Sequence, residues 1–365
     1  MTFTATEARF MARALRLAAK GLFTTDPNPR VGCVVVQDGT VVGEGWHARA
    51  GEAHAEVLAL NQAGDRARNA DMFVTLEPCN HYGRTPPCAD AVLRSGVRRV
   101  ICAMQDPNPL TDGKGVARLR AAGIDVQLGL LEAQAQALNP GFIRRAREGR
   151  PYVRVKIGAS LDGRIAMASG ESRWISGSAA RADVQRLRAR SSAVVTGIGT
   201  VLADDPLLTV RNWDIGRQPL RVVLDSRLRM SPNARMLRQP GRTLIATASN
   251  DAQRAQVLAA AGAEIARLSG VDGRTDLSGL MQFLAKFDLN EILIEAGAQV
   301  AGAFLDAGLV DELVVYLAPT LLGDAGRGMF HLPALRTLAD RYELQVTDVR
   351  AVGDDWRVTA KVSEK

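Results

Sequence analysis

Apolar residues along the first part of the chain switch repeatedly between a helical rhythm and short continuous runs. Phe10, Met11, Ala14, Leu15, Leu17 and Ala18 recur on one helix face, and Thr4 placed three residues before Glu7 supplies a capping box, so a first helix begins there. Asp26-Pro27-Asn28-Pro29 turns the chain into a strand over 31–36, and Asp38-Gly39 makes a hairpin into a second strand over 41–46. The pattern then predicts a helix over 52–63, an apolar strand over 72–76, a helix over 88–94, a strand over 100–104, a helix over 116–122, a strand over 124–128 and a helical run from Leu131. Such alternation predicts a central sheet with helices on its faces. The polar segment Arg144-Arg145-Ala146-Arg147-Glu148-Gly149-Arg150-Pro151, closed by Gly and Pro, reads as a linker and divides the chain into domains 1–147 and 148–365.

The second part resumes the alternation. Strands are predicted over 152–157, 193–196, 220–224, 243–246, 291–294 and 312–317, a capped helix over 178–190, a helix over 298–307 and a terminal strand pair over 343–349 and 356–362. Both parts are therefore α/β.

Composition changes this picture little. A chain of 365 residues, 47% hydrophobic, is long for one core, and no apolar run reaches the length of a membrane span. The capped first helix is unlike a signal peptide and four cysteines are too few for a disulfide framework, so a soluble enzyme of a reducing, cytoplasmic compartment is expected. A net charge of +7 and a pI near 9.6 would suit nucleic acid. The basic residues are mostly Arg spread along the chain, however, and an aromatic content of 5% leaves few platforms for stacking bases. A phosphorylated small molecule is a sufficient reason for a few convergent Arg side chains, so small-molecule partners are expected, with no nucleic acid and no membrane.

The candidate chemistry is concentrated in His54-Ala55-Glu56, Pro78-Cys79 and Cys88. A zinc-dependent deaminase needs one imidazole and two thiolates on the metal, an open fourth position for water, and a carboxylate that moves protons without binding the ion. His54, Cys79 and Cys88 supply the ligands, and Glu56 the proton shuttle. The familiar form of this signature has two residues between the cysteines, whereas here there are eight. The bland alternative, scattered core residues, requires a chance coincidence in a chain with only four His and four Cys. Cys33 and Cys102 sit in strand-like runs and read as small buried hydrophobes.

The second part holds weaker signals. Gly297, where a strand hands over to a helix, could offer backbone N–H groups to a phosphate or be simple punctuation. Gly197-Ile198-Gly199-Thr200 and the loop Asp204-Asp205-Pro206 invite the same two readings. Lys156 stands in an apolar strand of a chain with six Lys, where it either serves chemistry or snorkels from a sheet edge.

At greater length these segments resemble a known family. Pro27-Asn28-Pro29-x-Val31-Gly32, His54-Ala55-Glu56, Thr75-Leu76-Glu77-Pro78-Cys79, Gly83-Arg84-Thr85-Pro86-Pro87-Cys88 and Asp106-Pro107-Asn108-Pro109 are similar to the deaminase domain of the bifunctional riboflavin-biosynthesis deaminase/reductases, in which the eight-residue gap is usual. The segment from Lys156 to Arg164, Ser172-Arg173-Trp174-Ile175, the segment from Leu202 to Arg211, and Glu295-Ala296-Gly297 resemble its reductase domain. The resemblance implies a cytidine-deaminase-like α/β/α domain followed by a dihydrofolate-reductase-like α/β domain. It implies zinc-dependent deamination of 2,5-diamino-6-ribosylamino-4(3H)-pyrimidinone 5′-phosphate, then NADPH-dependent reduction of the ribosyl chain of 5-amino-6-(5-phosphoribosylamino)uracil. It further implies that Gly158, Trp174, Thr200, Asp204, Ser226 and the turn Gly297, Ala298, Gln299, Val300, Ala301, Gly302 and Ala303 line the NADPH site. Ser172, Arg188, Leu208, Arg211 and Glu295 would hold substrate, the two Arg suiting its phosphate. Asn28, His47 and His81 are implied substrate contacts in the deaminase, and a homo-oligomer through the reductase domain is implied as well.

Two rival readings differ in class. A nucleic-acid base deaminase with an RNA-binding second half accounts for the zinc site and the charge but leaves the motifs of the second half unexplained. A structural zinc in a binding module is disfavoured by a set of only three ligands with a carboxylate two residues from the His.

Overall fold

The computed structural model describes residues 3–83, 86–211 and 213–363; Arg84 and Thr85 of the motif before Cys88 lie outside the described residues. The chain forms two compact units, Met1–Gly149 and Arg150–Lys365.

In the first unit, α1 (Ala5–Ala19) is followed by β1 (Gly32–Gln37), β2 (Thr40–Trp46), α2 (Ala55–Ala63), β3 (Asp71–Val74), α3 (Cys88–Ser95), β4 (Arg99–Cys102), α4 (Lys114–Ala121), β5 (Asp125–Leu128), α5 (Glu132–Leu138) and α6 (Pro140–Glu148). The capping box at α1 forms: Glu7 N–H donates to Thr4 Oγ1 at 3.2 Å and Thr4 N–H to Glu7 Oε2 at 2.7 Å. The sheet order is β2-β1-β3-β4-β5, with β1 antiparallel to both neighbours and β3, β4 and β5 parallel. Two glycines set the seat of α2. A Cβ at Gly43 would come within 2.1 Å of the Ala59 carbonyl oxygen and one at Gly45 within 2.6 Å of that of Ala55, so only bare backbone lets α2 lie directly on β2. The polar run expected as a linker is instead the end of α6. Phe142 is buried and Arg144 pairs with Glu148 one turn later, which carries the helix on to Gly149, whose φ of 68° ends it.

The second unit runs β6 (Tyr152–Ser160), β7 (Arg164–Ala166), α7 (Ser178–Arg190), β8 (Ala193–Gly197), α8 (Ile198–Asp204), β9 (Leu220–Leu224), β10 (Thr243–Thr247), α9 (Ala252–Ala260), β11 (Ala263–Arg267), α10 (Leu277–Ala285), β12 (Glu291–Ile294), α11 (Ala298–Asp306), β13 (Glu312–Ala318), β14 (Arg327–Gly328), β15 (Leu344–Val352) and β16 (Asp355–Val362). Nine strands form one sheet in the order β11-β10-β9-β8-β12-β6-β13-β16-β15, parallel from β11 to β13 and antiparallel beyond. Separate clusters cover its two faces, one around Val155, Ile292, Ile294 and Phe304, the other around Leu187, Val194, Leu293 and Tyr316. β6 lies inside the sheet between β12 and β13, so Lys156 is not an edge residue and the snorkelling reading falls.

Candidate active sites

The three expected metal ligands converge. His54 is the N-cap of α2, with extended backbone at φ −75° and ψ 161°, so that helix starts three residues later than its apolar rhythm suggests. Cys79 lies on the loop after β3, and Cys88 is the first residue of α3. His54 Nδ1 is 3.1 Å from Cys88 Sγ and 3.7 Å from Cys79 Sγ, with all three ligand atoms within 4.8 Å of one another. The Cys88 backbone N–H also donates to Cys79 Sγ at 3.3 Å. Cys79 is the thiol that ionises first, held down to about 4 by hydrogen bonds from Cys88 and His54. Cys88 is pushed up by the Cys79 interaction and by burial, and His54 is raised by its bond to Cys79.

Glu56, in the first turn of α2, is 3% exposed, and its Oε2 has no hydrogen-bond partner among the described residues. Burial, and then the charge of Cys79, raise its carboxyl to about 7. One imidazole, two thiols and a buried carboxyl oxygen with nothing to bond fit an open zinc site better than a closed structural one.

Behind the ligands stand His47 and Asn28. The His47 ring packs edge-on against His54 at 5.0 Å, its Nε2 is 3.0 Å from Asn28 Nδ2, and burial lowers its pKa, keeping the imidazole neutral. His81, between the cysteines, places Nδ1 3.2 Å from Thr111 Oγ1. Glu77, the residue before Pro78, emerges only in three dimensions. Its buried carboxylate accepts backbone N–H groups from Asp106 at 3.1 Å, Gly113 at 3.0 Å and Val116 at 3.0 Å. Gly115 seats the start of α4 against the Pro78 carbonyl, where a Cβ would intrude to 2.1 Å. The Pro78-Cys79 corner is thereby fixed to α4. An acidic residue following the apolar run up to Leu76 is the only sequence sign of this clamp.

In the second unit the candidate residues gather at the carboxyl ends of β6, β8, β9 and β12, where ligands of open parallel sheets bind. Arg188 of α7 grips Glu295 with two bonds, Nε to Oε1 at 2.5 Å and Nη2 to Oε2 at 2.9 Å, and donates to the Thr209 carbonyl at 3.2 Å. Burial favours the neutral acid, yet the charge and hydrogen bonds of Arg188, with Lys156 and Arg211, hold Glu295 below its ordinary value. Burial lowers Lys156, opposed by Glu295 and assisted by Arg188. Arg188 is thus committed to Glu295, whereas Arg211 is exposed. The 208–211 segment is held in place: Leu208 is buried at φ 51°, Gln218 bonds both backbone groups of Val210, and Gln185 accepts the Arg211 N–H at 3.0 Å.

The residues expected at NADPH are partly brought together. Gly297 is the N-cap of α11, and neither there nor at Gly199 would a Cβ meet anything within 4 Å, which leaves open backbone for a ligand. Gln299 is exposed and Ala298, Val300 and Ala303 are half-buried. Ala301 and Gly302, in contrast, lie on the buried face of α11, where a Gly302 Cβ would sit 2.1 Å from the His331 carbonyl oxygen; they pack the helix rather than face a ligand. Thr200 and Asp204 belong to α8 and not to a loop, and Asp204 pairs with Arg173 at 2.7 Å. Trp174 is 71% exposed, with the Arg181 guanidinium 4.6 Å above its ring, and Ser172 is half-buried in the same segment. Ser226 Oγ accepts the Thr275 N–H at 3.0 Å. Gly158 shares a strand face with Lys156, its absent Cβ falling 3.9 Å from Nζ. An open glycine-started helix, an exposed indole and a charged floor fit an extended dinucleotide.

Comparison with known proteins matches a family to each part of the chain. The family described as "Cytidine and deoxycytidylate deaminase zinc-binding region" matches residues 4–104, and the "RibD C-terminal domain" family matches 151–358. The riboflavin biosynthesis protein RibD of Escherichia coli (strain K12) is 51% identical over 361 residues, covering 95% of this chain and 96% of that protein. Its counterpart in Haemophilus influenzae is 46% identical, covering 98% of each. Among solved structures, Acinetobacter baumannii RibD has a TM-score of 0.91 at 46% identity, covering 98% of this chain and 99% of that one. A Thermotoga maritima diaminohydroxyphosphoribosylaminopyrimidine deaminase/5-amino-6-(5-phosphoribosylamino)uracil reductase has a TM-score of 0.87 at 34% identity with the same coverage.

Proposed function

Since the chain belongs to the RibD family and is a bifunctional deaminase and reductase of riboflavin biosynthesis, we propose that residues 1–147 carry the zinc-dependent deamination and residues 148–365 the NADPH-dependent reduction. In this reading the first domain replaces the ring 2-amino group of 2,5-diamino-6-ribosylamino-4(3H)-pyrimidinone 5′-phosphate by oxygen. The second reduces the ribosylamino group of the product to ribitylamino.

His54, Cys79 and Cys88 hold zinc, which supplies the Lewis acidity that makes water nucleophilic near neutral pH. Glu56 takes the proton of the attacking water and returns it to the departing ammonia; its buried Oε2, without a partner among the described residues, is free for that work. In the second domain NADPH supplies the reducing equivalents. Trp174, Thr200, Asp204, Ser226, Gly158 and the start of α11 position it, while Ser172, Leu208, Arg211 and the Arg188–Glu295 pair orient the pyrimidine and its phosphate. Lys156, half-buried beside that pair, would assist opening of the sugar ring or proton transfer there.

The observation that carries the reading is the convergence of His54, Cys79 and Cys88 beside a buried Glu56 whose Oε2 has no partner among the described residues. The nucleic-acid alternative is not favoured, because the second half matches a reductase family domain over 151–358. No helix among the described residues is long and apolar enough to cross a membrane, and a cytoplasmic location is part of the proposal. So is a homo-oligomer formed through the reductase domain. Leu344, Val346, Val349 and Trp356 stand exposed on the β15–β16 hairpin at the sheet edge, a surface suited to a second copy. The decisive experiment follows both steps on the diamino substrate with and without NADPH, and again after chelation. Chelation is expected to stop ammonia release and leave reduction of the deaminated intermediate intact. Loss of both steps would refute the division, and Val346→Lys is expected to lower the mass seen in sedimentation.

A further inference from the structure

Near its carboxyl end β6 carries Lys156 and Gly158 on one face, and the glycine leaves a gap there. The atoms nearest to a Cβ built at Gly158 are Ser176 Oγ at 3.7 Å and, at 3.9 Å, Lys156 Nζ and Ser176 Cβ. Lys156 and Ser176 are both half-buried, and neither Nζ nor the hydroxyl bonds a described residue. Two unused donors therefore border one space that the strand leaves unfilled. The backbone of Ser176 is fastened on its far side. Its carbonyl accepts Arg181 Nη1 at 2.5 Å, and the next N–H, that of Gly177, donates to the buried Asp355 carboxylate at 2.7 Å. The same Arg181 guanidinium lies over the Trp174 ring. Close to Lys156 stand Glu295 and Arg188, whose charges act on its ammonium. A hydroxyl held this firmly, with nothing to bond, is set for a ligand atom rather than for the fold.

We propose that Ser176 is a further catalytic residue of the reduction, its hydroxyl joining the Lys156 ammonium to bind the ring oxygen of the ribosyl group in the space beside Gly158. Opening of that ring breaks the bond between this oxygen and the first sugar carbon. The lone pair of the attached nitrogen forms the new double bond to the carbon, and the oxygen takes up a proton to become a hydroxyl. Charge gathers on the oxygen as the bond lengthens, so two donors bind it more strongly then than in the closed sugar. The loss of one donor is therefore read in turnover more than in binding. The inference rests on the reading of Lys156 as a residue of the reduction, and the test separates the two.

The test uses the full-length protein and the deaminated intermediate, with NADPH oxidation followed at 340 nm, a wavelength at which only the reduced cofactor absorbs. Ser176→Ala is expected to lower kcat about tenfold to a hundredfold, with the KM values for the intermediate and for NADPH little changed. Ser176→Thr keeps a hydroxyl on the same carbon and is expected to recover most of that loss, which a purely structural role of the serine would not predict. Lys156→Met is expected to lower kcat further still, and the double variant to fall short of the product of the two single losses, because both donors serve one atom. Parent turnover in Ser176→Ala, with Lys156→Met impaired, would overturn the role of Ser176 and leave that of Lys156 standing. Parent turnover in Lys156→Met would overturn the reading of Lys156 and the inference with it. A rise confined to the KM for NADPH in Ser176→Ala would place the hydroxyl on the cofactor and overturn the assignment to the sugar.

Discussion

The two sites of this chain solve recognition in opposite ways. In the first unit the candidate chemistry is drawn together into three ligand atoms within 4.8 Å of one another and a buried carboxyl with one oxygen lacking a partner among the described residues. In the second unit the candidate groups are spread over the ends of four strands and two helix starts, and two of the charged ones, Arg188 and Glu295, satisfy each other. A metal ion demands few donors at fixed distance, so its site forms as a tight cluster. A dinucleotide and a phosphorylated sugar present a long, polar surface, and the groups proposed to meet them are correspondingly dispersed over backbone, an exposed ring and preset charge. The first site therefore fails abruptly when one atom is lost, and the second fails by degrees.

The sharpest break of that contrast is Cys88→Ala. Two remaining donors do not complete an open zinc site, so metal and deamination are expected to vanish together while reduction of the deaminated intermediate stays at the parent rate. Elemental analysis still finding one zinc per chain would show that the cluster is not the ligand set. Glu56→Gln follows in size. The amide keeps the volume and lies outside the ligand set, so zinc is expected to stay while deamination turnover falls about a thousandfold. Near-normal turnover would transfer the proton work to another group.

The same contrast explains what was legible in the sequence. His54, Glu56, Cys79 and Cys88 could be read because metal chemistry restricts residue type and order. The clamp on Glu77 could not, because it depends on a loop folding back 29 to 39 residues later to deliver the backbone N–H groups of Asp106, Gly113 and Val116. In the second unit the apolar strands 152–157, 220–224 and 291–294 announce themselves, whereas α8 does not. It opens with Ile198-Gly199-Thr200, a poor helical sequence, and forms because β8 delivers the chain to the Gly197 N-cap. By contrast α9 carried a readable mark, Asp251, whose side chain accepts the Arg254 N–H at 2.8 Å. The helix start at Gly297 was legible but the two faces of the helix behind it were not, since only packing against His331 shows that Ala301 and Gly302 point inward.

A smaller effect is expected from Arg188→Leu, which probes how far the second site rests on its buried pair. Removing the guanidinium leaves Glu295 charged with only Lys156 and Arg211 near it, at a cost of about 3–5 kcal/mol to the second unit. Trp174, Trp213 and Trp356 belong to that unit and only Trp46 to the first, so tryptophan fluorescence in denaturant reports it selectively. A lowered midpoint with unchanged deamination is expected. An unchanged midpoint would mean that the pair contributes to binding alone.

The smallest effect is in the acid limb of stability, and its sign follows from Glu295. Arg188 holds the folded carboxyl below its ordinary value near 4.5 despite burial, so the folded state binds that proton less readily than the unfolded chain does. The stabilisation is then fully present above pH 4.5 and is lost as the pH falls through the depressed folded value. Glu295→Gln removes the titrating group and with it one proton of uptake on unfolding. Its denaturation midpoint, already lower than the parent's near neutrality because Arg188 is left unpaired, is expected to decline less steeply below pH 4.5, so the two curves converge on acidification. Curves that stay parallel to the lowest accessible pH would mean that the buried carboxylate is paid for elsewhere in the groove, and the contrast between a concentrated first site and a distributed second one would extend to its electrostatics.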